Sequence, residues 1–397
     1  MSLPPIITFS SIDWDFTWQG HQEVMSRLAA LGHPVLFVEN TGIRRPMISD
    51  FARLRRRAVA LSSRERRSLA PVPGLQVLAP RVLPFPYSHP ITLLNAALLE
   101  PDIRKWLRQF DQPPIVWTYL PTPLVLRLAA RLRPALLVYY CVDNLPESSN
   151  LARRSAEGER QLFRSADLVM VTSEQLREKA ARYRPSVHVV PSGVSMDAFA
   201  NAREAPVTVL PEFASLRRPV VGYVGGLHRW FDVALTAAVA RRLPDVQFVL
   251  VGPAHIDVSG LERVENVHLL GPRPHSDVPA LLRMLDAAII PYVLDAYTRS
   301  VFPTKLSEYL AMGLPSISTP LPDVVAFRNR YGAVVDVAAT ADEFAEAVRR
   351  AVSQPSSDEE RRTRIDVASA QDWGLRVAHI ETLLNDALAA KSGATAR

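Results

Sequence analysis

Residues 288–320, AIIPYVLDAYTRSVFPTKLSEYLAMGLPSISTP, read as strand, loop, helix and strand, and this reading decides the fold class. The first strand is expected at Ala287–Ile290, the helix at about Ser300–Met312 and the second strand at Ser316–Thr319. Pro303 suits a first helical turn, and Gly313 suits the position just past a helix, with Pro315 beyond it as a stop. At about 100° per residue, Lys305, Glu308 and Met312 share one face of this helix. Leu306 and Leu310 point away from that face and would hold the helix to a sheet. A helix linking two strands in this way is the unit from which parallel sheets are built.

Lys305 is conspicuous because lysine is rare in this chain. Of 46 basic residues only four are lysines (Lys105, Lys179, Lys305 and Lys391), leaving 42 arginines. An ammonium in the first turns of a helix, facing a loop at a strand's carboxyl end, is a candidate anion site. A solvated ion pair between Lys305 and Glu308, worth a few tenths of a kcal/mol, accounts for the same residues.

Strands and helices alternate along the rest of the chain. Strands are expected near Ile6–Phe9, Val35–Glu39, Ile115–Tyr119, Leu136–Tyr140, Leu168–Thr172 and Val187–Val190, with helices near Gln22–Leu31, Leu124–Arg131, Ala156–Ser165 and Glu174–Arg182. A second series starts at Val220 and continues through Val246–Val251, Val267–Leu270, Ala287–Ile290, Ile317 and Ala333–Val335. Between the two series, Pro191–Pro219 holds four prolines and no clear period. The pattern predicts an α/β protein of two doubly wound domains with a ligand crevice at the strand carboxyl ends. The divisions are residues 1–190, a linker at 191–219, a second domain at 220–371 and a last helix at 372–391.

Composition narrows the class. At 397 residues, with 48% hydrophobic and 22% charged residues, the chain is of ordinary globular make-up and large enough for two cores. The single cysteine, Cys141, excludes an internal disulfide and any cysteine-rich zinc site. Neither a signal-peptide pattern nor an apolar run of membrane-spanning length is present, so a soluble, cytoplasmic chain is expected. The net charge of +6 is uneven, with seven arginines and one acid between Arg53 and Arg67. That strip suits nucleic acid, anionic lipid or a polyanion, or is simply solvated. It lacks the interleaved aromatics of a nucleic-acid groove, so nucleic acid is not an expected partner, whereas peripheral contact with a membrane's inner face is. The apolar, proline-rich stretch that follows reads either as an interfacial or acceptor-binding element or as an irregular segment packed on its own domain.

The pattern Pro-x-Lys-x-x-Glu-Tyr-x-Ala-x-Gly-x-Pro at 303–315, after a strand ending Ile-Pro-Tyr, resembles the nucleotide-sugar-binding segment of GT-B glycosyltransferases. The resemblance is to family 4 and to the bacterial teichuronic-acid and glucuronosyltransferase-like branch. It implies two Rossmann-like domains facing across a cleft, with the last helix crossing back to the first. It also implies that Glu308 grips the ribose hydroxyls of a nucleotide sugar while Lys305 neutralises the diphosphate, with uridine the favoured base. VVGYVGGLHRWFD at 220–232 resembles the family's glycine loop, where Gly225 and Gly226 would let a diphosphate approach the backbone. Gly226 and Phe231 stand where family 4 has an arginine and a lysine, and Arg229 would replace the lost charge. A plain strand–helix turn is the other reading of this segment. GPRPHSDVPALL at 271–282 takes the place of the base-contacting loop, so Arg273 would meet the base, and Tyr292 would line the crevice or cap the core.

Ser300 stands eight residues before Glu308, where family 4 has its first glutamate. That departure opens an inverting displacement, which needs a general base for the acceptor hydroxyl. Asp143, just after the strand 136–140, is the preferred base, although a turn aspartate bonding its own backbone has the same appearance. His21 is the second candidate, or else a helix-start residue; the branch has Gln-Arg-Pro where this chain reads Gln19-Gly20-His21. Asp13-Trp14-Asp15 has the spacing of a metal–diphosphate clamp but falls in the first domain's opening loop. No metal and no cofactor are therefore expected. The partners implied are a nucleotide-sugar donor and a glycan or lipid-linked acceptor in cell-surface polysaccharide synthesis. A nucleotide-sugar epimerase and a non-catalytic GT-B scaffold that binds a membrane are the alternatives.

Overall fold

The computed structural model describes residues 3–15, 18–41, 72–83, 85–148, 151–206 and 209–395. The Arg53–Arg67 strip lies outside the described residues. The chain divides into two units, Met1–Val190 with Val377–Arg397, and Pro191–Arg376.

Among the described residues the first unit holds seven strands: β1 (Ile6–Phe9), β2 (Val35–Val38), β3 (Leu75–Leu78), β4 (Ile115–Thr118), β5 (Leu136–Cys141), β6 (Leu168–Val171) and β7 (His188–Val189). They lie in the order β3-β2-β1-β4-β5-β6-β7, every pair parallel. β1, β2, β4 and β6 are buried at every residue, as expected of strands covered on both faces. Helices take up the connections, among them Gly20–Ala30, Pro123–Leu132, Ala156–Ser165 and Glu174–Ala181.

The second unit repeats the plan with six strands: β8 (Val220–Val224), β9 (Gln247–Val251), β10 (Val267–Gly271), β11 (Ala287–Ile290), β12 (Ser316–Ser318) and β13 (Asp336–Val337). Their order is β10-β9-β8-β11-β12-β13, again all parallel. In each sheet the winding direction reverses beside the first strand, between β1 and β4 and between β8 and β11. At such a reversal the connecting helices diverge and leave a crevice at the strand carboxyl ends.

Three segments differ from expectation. The proline-rich stretch after residue 71 contains β3 and a 19-residue helix, His89–Leu107, with Pro90 in its first turn, where a missing N–H costs nothing. The segment 191–219 is no bare linker: it carries the helix Met196–Glu204 and sends Val194, Phe199 and Phe213 into the second unit's core. The last strand is Asp336–Val337 rather than 333–335. The final helix, Trp373–Thr395, buries Val377, Ile380 and Leu384, and Lys391 donates to Asp167 of the first unit at 2.6 Å. Among the described residues no helix is long and apolar enough to cross a membrane.

Candidate active site

The crevice of the second unit is built around a glycine. Beyond β8, Gly225 has φ +143°, a conformation side chains rarely adopt, and its N–H donates to Val251 O at 2.7 Å. A Cβ on Gly225 would lie 2.2 Å from Lys305 Cε and 2.5 Å from Nζ. On the other side, a Cβ on Gly252 would lie 2.2 Å from Gly225 O. The missing side chain at 225 is thus the space that the lysine head fills. Lys305 Nζ also stands 5.3 Å from the centre of the Tyr223 ring, and the Tyr223 hydroxyl donates to Gly226 O at 3.0 Å.

The lysine is aimed there by its helix, Thr304–Ala311. Pro303 is the N-cap rather than a first-turn residue, and Thr298–Ser300 forms a separate 3-10 turn, so the helix starts later than its sequence suggests. Leu306, Tyr309 and Leu310 are fully buried, and the Tyr309 hydroxyl accepts the Val224 N–H at 3.1 Å. That bond joins the end of β8 to the helix carrying Lys305. Gly313, at φ +72°, ends the helix as expected. Met312 goes to the core, because at the last turn the chain is already bending back into the sheet. Glu308, one turn after Lys305, remains partly accessible, and His275 Nε2 stands 3.7 Å from its carboxylate. The pair is ionic only when the imidazole is protonated.

The remaining donor-side candidates are less directly placed. Arg229 is exposed, its guanidinium 5.0 Å from the centre of the Tyr297 ring. That ring belongs to a series in which His255 stacks on His228 at 4.3 Å, His228 meets Trp230, and Trp230 lies over Tyr297. Arg273 donates to Glu212 at 2.5 Å and to the carbonyls of Leu270 and Pro272, so its cation is tied to its own loop and to the turn Pro211–Phe213 that precedes β8. From the same loop it is His275, with no periodic pattern to mark it in the sequence, that approaches Glu308. Tyr292 is a core residue, its hydroxyl 3.5 Å from that of Tyr223, so it caps the core rather than lining the crevice. Ser300 is buried and donates to Tyr297 O at 2.9 Å.

In the first unit the two candidate bases stand in unlike surroundings. His21 is buried at the winding reversal, stacked on Tyr119 with ring centres 3.7 Å apart, and its Nδ1 is 3.0 Å from Ser10 Oγ. Burial pushes its pKa down to about 3, so the ring is neutral near pH 7 and too weakly basic to hold an acceptor's proton. Asp143 lies half-buried in the loop after β5, and its carbonyl accepts from Leu145 N at 2.8 Å. Sequence gave no sign of what steadies this loop. Lys179 donates to Asn144 Oδ1 at 2.8 Å and pairs at 2.5 Å with Glu159, a buried carboxylate whose pKa burial raises. The Cys141 thiol beside it is pushed far up by burial and is not a nucleophile. Asp15 is exposed while Trp14 between the two acids is buried, and among the described residues no three His, Cys, Asp or Glu side chains gather as a metal site.

Two parallel sheets of this strand order, the second carrying a lysine against a glycine loop at its reversal, define a GT-B architecture. Two family models match the chain, the Glycosyl transferase 4-like domain over residues 18–193 and Glycosyl transferases group 1 over residues 218–354. The chain belongs to the GT-B glycosyltransferases. It is 29% identical over 223 residues to TuaH of Bacillus subtilis, named as a teichuronic acid biosynthesis glycosyltransferase, covering 54% of this chain and 56% of that protein. It is 30% identical over 220 residues to the alpha-maltose-1-phosphate synthase of Mycolicibacterium smegmatis, covering 50% and 57%. The chain thus spans little more than half the length of these curated relatives. Among solved structures, the sucrose-phosphate synthase of Thermosynechococcus elongatus superposes with a TM-score of 0.71 at 17% identity, covering 98% of this chain and all of that one. HepE of Anabaena in complex with UDP superposes at 0.64 and 15% identity, covering 96% and 100%. At such identities these two likenesses bear on the fold alone.

Proposed function

We propose that this protein transfers a sugar from a nucleoside-diphosphate sugar, with UDP the favoured carrier, to a glycan or lipid-linked acceptor in surface-polysaccharide assembly. The observation that carries the reading is the Lys305 ammonium lying in the space left by Gly225, at the reversal between β8 and β11. A diphosphate there would meet a full positive charge and glycine backbone in a protein-lined crevice, where such interactions are strongest. Glu308 would accept hydrogen bonds from ribose hydroxyls. As the acceptor oxygen bonds to the anomeric carbon, the bond to the diphosphate breaks and the leaving group's charge develops against Lys305. Asp143 would take the acceptor's proton, giving inversion at the anomeric carbon. The name of TuaH and the UDP in the HepE complex support the acceptor class and the base by analogy. With lysine supplying the charge, turnover is expected to persist in EDTA, and product NMR would report the anomeric outcome.

One observation favours a second reading. Ser300 replaces a family carboxylate and is buried with its hydroxyl engaged, as in a GT-B protein that has given up chemistry and only binds. Calorimetry with UDP, GDP, ADP and TDP, on wild type, Lys305→Ala and Glu308→Ala, separates the two. Selective binding of one nucleotide, weakened by both substitutions, supports the transferase. No binding by any of the four would move the assignment to the scaffold.

A further inference from the structure

Nine large apolar side chains are exposed among the described residues, and five of them crowd into one stretch of the first unit: Leu83, Phe85, Leu93, Leu94 and Leu98. Phe85, Leu94 and Leu98 are 45%, 48% and 47% exposed, so these are not margins of buried residues. Scattered apolar exposure is ordinary, whereas a contiguous patch marks an interaction surface. The helix His89–Leu107 explains the crowding, being apolar on two faces. Its inner face buries Ala96, Leu99, Ile103 and Trp106 in the core. At about 100° per residue, Pro90, Leu93, Leu94, Ala97, Leu98 and Pro101 fall on the opposite face, all exposed. That outer face serves no core.

Charge identifies what it would meet. Along the same face the stripe runs on into Lys105 and Arg108, both exposed, while Arg81 is exposed beside Leu83. Of the helix's two acids, Glu100 is buried in ion pairs with Arg104 and Arg131, and Asp102 is half-buried at the edge of the stripe, so the fully exposed positions carry no carboxylate. An apolar stripe whose fully exposed charges are all cations has the chemistry of a helix lying in a bilayer interface.

We propose that this face docks the protein on an anionic phospholipid surface, with Phe85, Leu93, Leu94 and Leu98 entering the headgroup–acyl boundary and Arg81, Lys105 and Arg108 meeting lipid phosphates. The proposal uses the first unit alone and stands whether or not the donor site is assigned correctly. It also suits an acceptor anchored in lipid.

The test sediments the full chain with phosphatidylcholine vesicles, with and without phosphatidylglycerol, at low and high salt. Wild type is expected to sediment with the anionic vesicles at low salt and to be released by high salt. Leu94→Glu/Leu98→Glu should lose at least about tenfold in binding. Lys105→Ala/Arg108→Ala should lose about fivefold for each charge removed. Both variants alter exposed side chains and should melt like wild type by circular dichroism. Wild type that stays in solution, variants that bind as wild type does, or equal binding to both vesicle types would each overturn the proposal. So would self-association of wild type that Leu94→Glu/Leu98→Glu abolishes, since the face would then be a contact between copies.

Discussion

The two units offer the same place in the same topology and fill it differently. Where β1 and β4 part, His21 is pressed against Tyr119 and linked to Ser10; the position is buried, aromatic and neutral. Where β8 and β11 part, two glycines leave space and Lys305 fills part of it with a charge that stays partly accessible. Sheet order creates the opening in both units, but the side chains set its chemistry. One reversal is filled by neutral aromatic packing, and the other holds an ammonium against glycine backbone. Fold alone therefore says where to look and not what binds.

The comparison breaks first at Lys305. If its ammonium gives the second crevice its function, Lys305→Ala should lower kcat/KM for sugar transfer by about 10²–10³-fold while the melting temperature holds. Lys305→Arg should recover little, because a planar guanidinium is larger than the space over Gly225. A loss below about threefold would place the decisive charge elsewhere.

Acid should expose the other side of the contrast. His21 ordinarily titrates near 6.5 but only near 3 when folded, so between those values the unfolded chain binds the extra proton. Stability is then complete above about pH 6.5 and declines as the pH falls toward 3, by a few kcal/mol at most. His21→Phe, which can keep the stack, should flatten that part of the curve in denaturant titrations from pH 7.5 to about 4. An unchanged slope would mean that other groups govern acid unfolding.

Gly225→Ala should cost about 1–3 kcal/mol, because alanine rarely adopts a φ of +143°. By displacing the lysine head it should also weaken nucleoside-diphosphate binding about tenfold. Denaturant melts and calorimetry read the two effects separately. The smallest effect is expected at Arg229, whose cation rests on Tyr297 at the surface. Arg229→Ala should change nucleotide affinity less than about twofold, within the value of an exposed cation–π contact. A larger loss would make Arg229 a second cation of the site.

Much of the framework was legible because parallel strands buried on both faces are unbroken apolar runs. IITF at 6–9 and AAII at 287–290 stand in the structure where their composition puts them. The Lys305 helix was legible from its stops, although it starts later than its sequence suggests. A residue before proline avoids helical geometry, which delays the helix until after Phe302 and Pro303. The helix His89–Leu107 escaped because apolar residues on two faces erase the amphipathic period and its prolines resemble punctuation. Within the candidate site, Gly225 and Lys305 were separable from background as a glycine pair and a rare lysine. His275 and the Lys179–Glu159 tie were not, because their meaning lies in partners distant in sequence.

The ion pair between Asp167 and Lys391 spans 224 residues of chain, and the whole second unit is encoded between them. On a ribosome adding about 5–20 residues per second, Asp167 emerges some 10–45 s before its partner exists. During that interval the first unit lacks the helix that supplies the buried Val377, Ile380 and Leu384 along with Lys391. The second unit, contiguous in sequence, has no such wait. Order of synthesis therefore makes the unit that begins first the one that is finished last.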